Sequence, residues 1–147
     1  MDIHTFWVGS LSKFAQPFKD NEALYNQARA FWRNLEGCSP FLTIAFVVIS
    51  LALAWYYYFP FNNQPGRHYR VRYWLGFGFV AAIVTLIASM VIEYAMATPK
   101  LDGALAIEVI IAIFNALYSF FAYIVVSLVF CKCFTTNAYP FYKKFSK

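Results

Sequence analysis

Three stretches of this chain are apolar with almost no interruption: "FLTIAFVVISLALAWYYYF" (41–59), "YWLGFGFVAAIVTLIASMVIEYAMA" (73–97) and "ALAIEVIIAIFNALYSFFAYIVVSLVF" (104–130). A helix rises about 1.5 Å per residue and needs about 20 apolar residues to cross the hydrocarbon layer, so each stretch predicts a transmembrane helix. Aromatic rings crowd the edges of these stretches, with Trp55 to Tyr58 at one and Tyr73 and Trp74 at the next, as expected at the headgroup level.

The first 40 residues follow a different rhythm. In "DNEALYNQARAFWRNLEG", Leu24, Ala28, Phe31, Trp32 and Leu35 recur at helical spacing while Asn26, Gln27, Arg29, Arg33 and Asn34 take the other side. Asp20 or Asn21 is placed to cap this helix and Gly37 to end it. A shorter apolar series, Ile3, Trp7, Leu11 and Phe14, precedes it and breaks at Pro17. Residues 1–40 are therefore expected as an amphipathic interfacial segment, with Trp7, Phe31 and Trp32 as interfacial anchors. Its apolar face would lie in lipid, on the protein's own helices or on a neighbouring subunit. The expected fold class is all-α: an integral membrane protein with a three-helix transmembrane bundle over 41–130, this N-terminal segment, and a basic C-terminal tail over 131–147.

Helices in lipid gain nothing from burying apolar surface against each other, so small and polar residues mark where they pack. In the third span Glu108, Ala112, Asn115, Ser119, Ala122 and Tyr123 fall within an arc of about 100° at 100° per residue. In the second, Gly78, Ala82, Thr85, Ser89 and Glu93 recur every three or four residues, and in the first Thr43, Ser50 and Ala54 do so more sparsely. Gly78, Ala82, Thr85 and Ala112 are the expected packing face. The same stripes would also suit a narrow water-filled path, and an amide at Asn115 must find a hydrogen-bond partner in hydrocarbon.

Composition agrees with lipid as the solvent: 61% of residues are hydrophobic and 13% charged, against about 25% charged in soluble domains. "MDIHTFWVGSLSKFAQ" has neither a basic n-region nor a continuous apolar core, so no cleaved leader is expected. The seven basic residues Arg67, Arg70, Arg72, Lys132, Lys143, Lys144 and Lys147 fall on the side of the first connector and the tail, which carries no acid. The opposite side is −2, and together they make the chain's +5. Since Lys and Arg near spans are retained inside, the N-terminus is expected outside and the C-terminus in the cytoplasm or its equivalent. Arg67, Arg70 and Arg72 are candidate contacts for anionic lipid headgroups or a partner, besides setting topology. Basic residues this close to a span are explained by the membrane, so no nucleic-acid partner is expected. His68, alone among them, lacks the further ligands a metal needs.

Candidate chemistry is sparse. No nucleophile set, phosphate loop or ligand cluster appears, so neither catalysis nor a cofactor is expected. Three cysteines are too few for a disulfide framework, and Cys131 and Cys133 are expected as free interfacial thiols or sites of reversible acylation. The exceptions are two acids, Glu93 and Glu108, each about 6 to 9 Å inside its span on either side of "TPKLDG". With Ser89, Asn115 and Ser119 they form the candidate intramembrane polar or ion site. In one reading they face each other, share a proton and form a cation or proton site. In the other each reaches toward the headgroups or pairs with Lys100 or a partner's cation.

Three spans enclose little space, so the chain is expected to be a non-catalytic subunit of a larger membrane assembly for secretion, transport or energy conversion. Its partners would be the bilayer and other subunits or copies of itself. The alternatives are a pore-forming or ion-conducting homo-oligomer, such as a holin or toxic membrane effector, and an immunity-type protein that binds its target within the bilayer.

Overall fold

The computed structural model describes residues 3–62, 64 and 70–133. All regular elements among the described residues are helical: α1 (Leu11–Ala15) with a 3-10 turn at Gln16–Phe18, α2 (Glu22–Gly37), α3 (Ser39–Tyr56), α4 (Val71–Met96) and α5 (Ala104–Cys133). Among the described residues three helices are long and apolar enough to cross a membrane, Glu22–Phe61, Val71–Met96 and Ala104–Cys131, which is compatible with an integral membrane location.

Local chemistry sets the helix ends. The Asn21 side chain accepts hydrogen bonds from the backbone N–H groups of Ala23 (3.1 Å) and Leu24 (3.3 Å), satisfying two donors that a helix start leaves orphaned. α2 does not end in a loop: the N–H of Cys38 bonds back to Asn34 and α3 begins at Ser39, with Pro40 in the first turn, where its missing N–H costs nothing. At the far end of α3, Pro60 has no N–H for the helical ladder. The backbone widens into a π turn over Tyr57–Phe61, closed by the N–H and side-chain amide of Asn62 donating to the Tyr57 carbonyl (3.2 and 2.7 Å). α5 starts after Gly103, whose φ of 85° lies where side chains with a Cβ are disfavoured.

The chain divides into two compact units, and each long helix contributes to both. The first comprises Met1–Ala45 and Leu86–Asn115. Its core joins Phe31, Leu35, Cys38 and Leu42 to Ala97, Ala104 and Ile111, with the Phe14 ring tilted against Phe31 and Trp32 at centroid distances of 5.4 and 5.8 Å. The alanines leave room for the large side chains of α2 to seat. Phe31 and Trp32, expected as interfacial anchors, are turned inward onto the protein's own helices, while Trp7 remains half-exposed and stacks on Phe114 with ring centroids 4.6 Å apart.

The second unit comprises Phe46–Thr85 and Ala116–Lys147, of which the tail beyond residue 133 is not described. Its core is aromatic: Tyr57, Tyr58, Trp74 and Tyr123 with Ala54 and Ala81. Gly78 belongs to it because a Cβ there would lie 2.9 Å from a Phe120 ring carbon and 3.2 Å from Tyr123. In α4 and α5 the buried positions include Thr85, Ser89, Glu93, Glu108, Ala112, Asn115, Ser119 and Ser127, while Ile83, Ile87, Val91, Ile113, Leu117, Phe121 and Val125 face outward. The lipid-like side chains are outside and the polar ones inside, the inverse of a soluble bundle and the arrangement a bilayer selects. Ala82 is only partly buried, and Ala81 takes the deeper place beside it.

Candidate functional site

The first unit carries the acidic pair. Glu93, one turn before the end of α4, and Glu108, one turn into α5, are both sealed from solvent. The connector between these helices brings back Lys100, whose ammonium forms an ion pair with Glu108. The same ammonium lies 3.4 Å from the main-chain carbonyl of Glu93 and 4.8 Å from the centre of the Tyr94 ring, which offers it a second, π-type contact. Among the described residues the Glu93 carboxylate itself has no hydrogen-bond partner at either oxygen. Glu108 and Lys100 are within electrostatic reach of it, and Cys38 is within reach of all three. The Cys38 thiol is occupied locally, donating to the Asn34 carbonyl at 3.2 Å. Nearby on α2, the exposed Asn34 ties that helix to the connector: its side-chain amide donates to the Thr98 carbonyl at 2.6 Å.

A second polar group lies in the same unit. The Asn115 amide donates to the Ser89 hydroxyl (3.2 Å), and its oxygen accepts from Nδ1 of His4 (2.6 Å). On the other side of the ring, Nε2 is hydrogen-bonded with the Thr43 hydroxyl (2.9 Å). Asn115 therefore meets its obligation in hydrocarbon within this chain. His4 was invisible to sequence reasoning as a site residue, because its helix-lacking segment carries no motif. The only available signal was the unmet demand of Asn115.

The second unit has its own polar centre. Ser119 accepts from the Thr85 hydroxyl (2.8 Å), exchanges a bond with the Ser50 hydroxyl (3.0 Å) and lies 3.4 Å from the Ala81 carbonyl. Farther along α5, the Ser127 hydroxyl is bonded by both Tyr58 (2.9 Å) and the Trp74 indole N–H. Each hydroxyl is satisfied inside the protein, which suits close packing.

The candidates thus fall into separate groups. Glu93 and Glu108 come together with Lys100; Ser89 and Asn115 with His4; Ser119 with Thr85 and Ser50. Arg70 and Arg72 are exposed, with the Arg72 guanidinium 4.9 Å from the centre of the Tyr73 ring. Arg67, His68 and the C-terminal tail from 134 onward lie outside the described residues, as does the side chain of Cys133. Among the described residues no group of three or more His, Cys, Asp or Glu side chains is placed to hold a metal. The chain matches none of the protein-family models, curated proteins or solved structures with which it was compared.

Proposed function

We propose that this chain is a small, non-catalytic integral membrane protein that handles ions, binding a proton or a small cation at Glu93 beside the fixed Glu108–Lys100 pair. The observation that carries this reading is the Glu93 carboxyl group, sealed from solvent with neither oxygen hydrogen-bonded. An ionised carboxylate in such surroundings costs several kcal/mol, and the Lys100 ammonium nearby is committed to Glu108. A bound proton or cation completes the site. Intramembrane acids are by default functional, and Glu93 is the acid here that packing and hydrogen bonding leave unexplained. The charge asymmetry of the termini supports an N-outside, C-inside orientation, which puts the site near the outer face.

The test is flux through liposomes holding the full chain, driven in turn by a proton gradient and by Na+ or K+ gradients. The expected result is flux above that of empty liposomes that Glu93→Gln abolishes. Equal flux in parent and variant, or no flux in the parent, overturns the proposal.

A second reading, the non-catalytic subunit of a larger membrane assembly, is favoured by Ile3, Phe6 and Trp7, whose apolar side chains are each more than half exposed on one short segment. Mass measurement of the solubilised protein alone separates a self-sufficient monomer or symmetric oligomer from a chain that aggregates without its partners.

A further inference from the structure

The groove between α1 and α2, in the first unit, is a feature that the acidic site does not use. It encloses about 480 Å³ and is lined by Leu11, Asn26, Arg29, Trp32, Arg33 and Glu36. We propose that this groove binds the phosphate headgroup of an anionic phospholipid. Arg29 and Arg33 are one helical turn apart on the exposed side of α2, and both residues line the same opening. Among the described residues neither has a carboxylate at ion-pair distance. The one acid in the lining, Glu36, accepts instead from the Trp32 indole N–H at 3.0 Å, which draws it toward the ring. Two guanidiniums in this arrangement match the oxygens of a phosphate, which they bind in forked geometry.

Apolar parts of the lining argue for a lipid as the source of that phosphate. Leu11 and Trp32 form an apolar wall beneath the arginines, and a smaller recess of about 220 Å³, bordered by Gly9, Ser10, Leu11, Trp32 and Glu36, shares three of its residues with the groove. Position along the chain agrees. Arg33 precedes the start of α3 at Ser39 by six residues, about 9 Å of helix, close to the roughly 5–8 Å that a headgroup layer adds beyond the hydrocarbon core.

The test uses the full chain in detergent, exchanged against mixed micelles of phosphatidylcholine and phosphatidylglycerol, with native mass spectrometry reading retained lipid. The parent is expected to retain phosphatidylglycerol over phosphatidylcholine. Arg29→Gln/Arg33→Gln keeps helix propensity and lies on an exposed face, and it is expected to weaken phosphatidylglycerol retention about thirtyfold. Lys13→Gln/Lys19→Gln removes the same charge from exposed positions outside the groove and is expected to leave retention near the parent's. Equal losses in the two double variants mean general charge attraction, and unchanged retention in the arginine variant means no site. Displacement of the lipid by inorganic phosphate at equal concentration means that the apolar wall contributes nothing. Each of these three results overturns the proposal, and none depends on the ion flux assigned to Glu93.

Discussion

Lys100 is ion-paired with the carboxylate of Glu108 and meets Glu93 only at its main-chain carbonyl, 3.4 Å away. Two acids at matching positions on either side of one short connector thus have unequal fates. The reach of a single lysine decides which is neutralised, since the six residues after Glu93 are spent on the end of α4 and the turn. Replacing Lys100 with Met should leave Glu108 buried and unpaired. Because Lys100 is 35% exposed, solvent offsets part of the loss, and about 1–3 kcal/mol of destabilisation is expected, below the usual figure for a fully buried pair. Unfolding of the detergent-solubilised protein measures it, and adding Glu108→Gln should restore most of the stability. A double variant no better than Lys100→Met alone contradicts the pairing.

His4→Ala removes the donor to Asn115 and the partner of Thr43 together. A buried amide oxygen left unsatisfied costs about 1–3 kcal/mol. Thermal unfolding should show this loss, and hydrogen exchange should show faster exchange at residues 5–14 than in the parent. Exchange unchanged there means that His4 does not hold the segment down.

Gly78→Ala and Gly76→Ala are expected to differ although the two glycines sit two residues apart in α4. At Gly78 the new methyl meets Phe120 and Tyr123 inside normal contact distance, whereas at Gly76 nothing lies within 4 Å. The clash is with side-chain ring atoms and not with backbone, so the cost at Gly78 should be about 1 kcal/mol. Gly76→Ala should be neutral or stabilising by up to about 1 kcal/mol through helix propensity. Parallel melting curves check the order, and a reversal refutes the close approach of α5 at Gly78.

Ser119→Ala removes a hydroxyl that bonds Thr85 and Ser50. Hydrogen bonds between helices in lipid average about 0.6 kcal/mol, so a loss of about 1 kcal/mol is expected for the two. In a cycle with Thr85→Val the losses should fall short of additive, because both changes break the same bond. Strict additivity would count against the contact.

Most of the fold was written in one-dimensional terms. A run of about 20 apolar residues has few fates other than a span, and the polar face of α5 from Glu108 to Ser119 follows from helical period alone. The ends of elements were less legible. Nothing local says that α2 runs into α3 with only Cys38 between, or that Pro60 widens the backbone into a π turn and does not stop the helix. The site was half legible. Sequence marked Glu93, Glu108, Ser89 and Asn115 because each breaks an apolar pattern. It did not assign Lys100 between the two acids, nor reveal His4, because those pairings depend on how far a side chain reaches across a turn and on contacts 111 residues apart. The Arg29 and Arg33 groove escaped for the same reason: one helix shows the charges, but only α1 beside it makes a cavity.

The bond between His4 and Asn115 also orders the protein's biogenesis. Chains leave the ribosome N-terminus first, and local elements ordinarily settle in that order. Here His4 precedes its partner Asn115, near the middle of α5, by 111 positions. Until that helix is in place, His4 can meet Thr43 but not Asn115. The His4–Asn115 bond can therefore close only after α5 has been made.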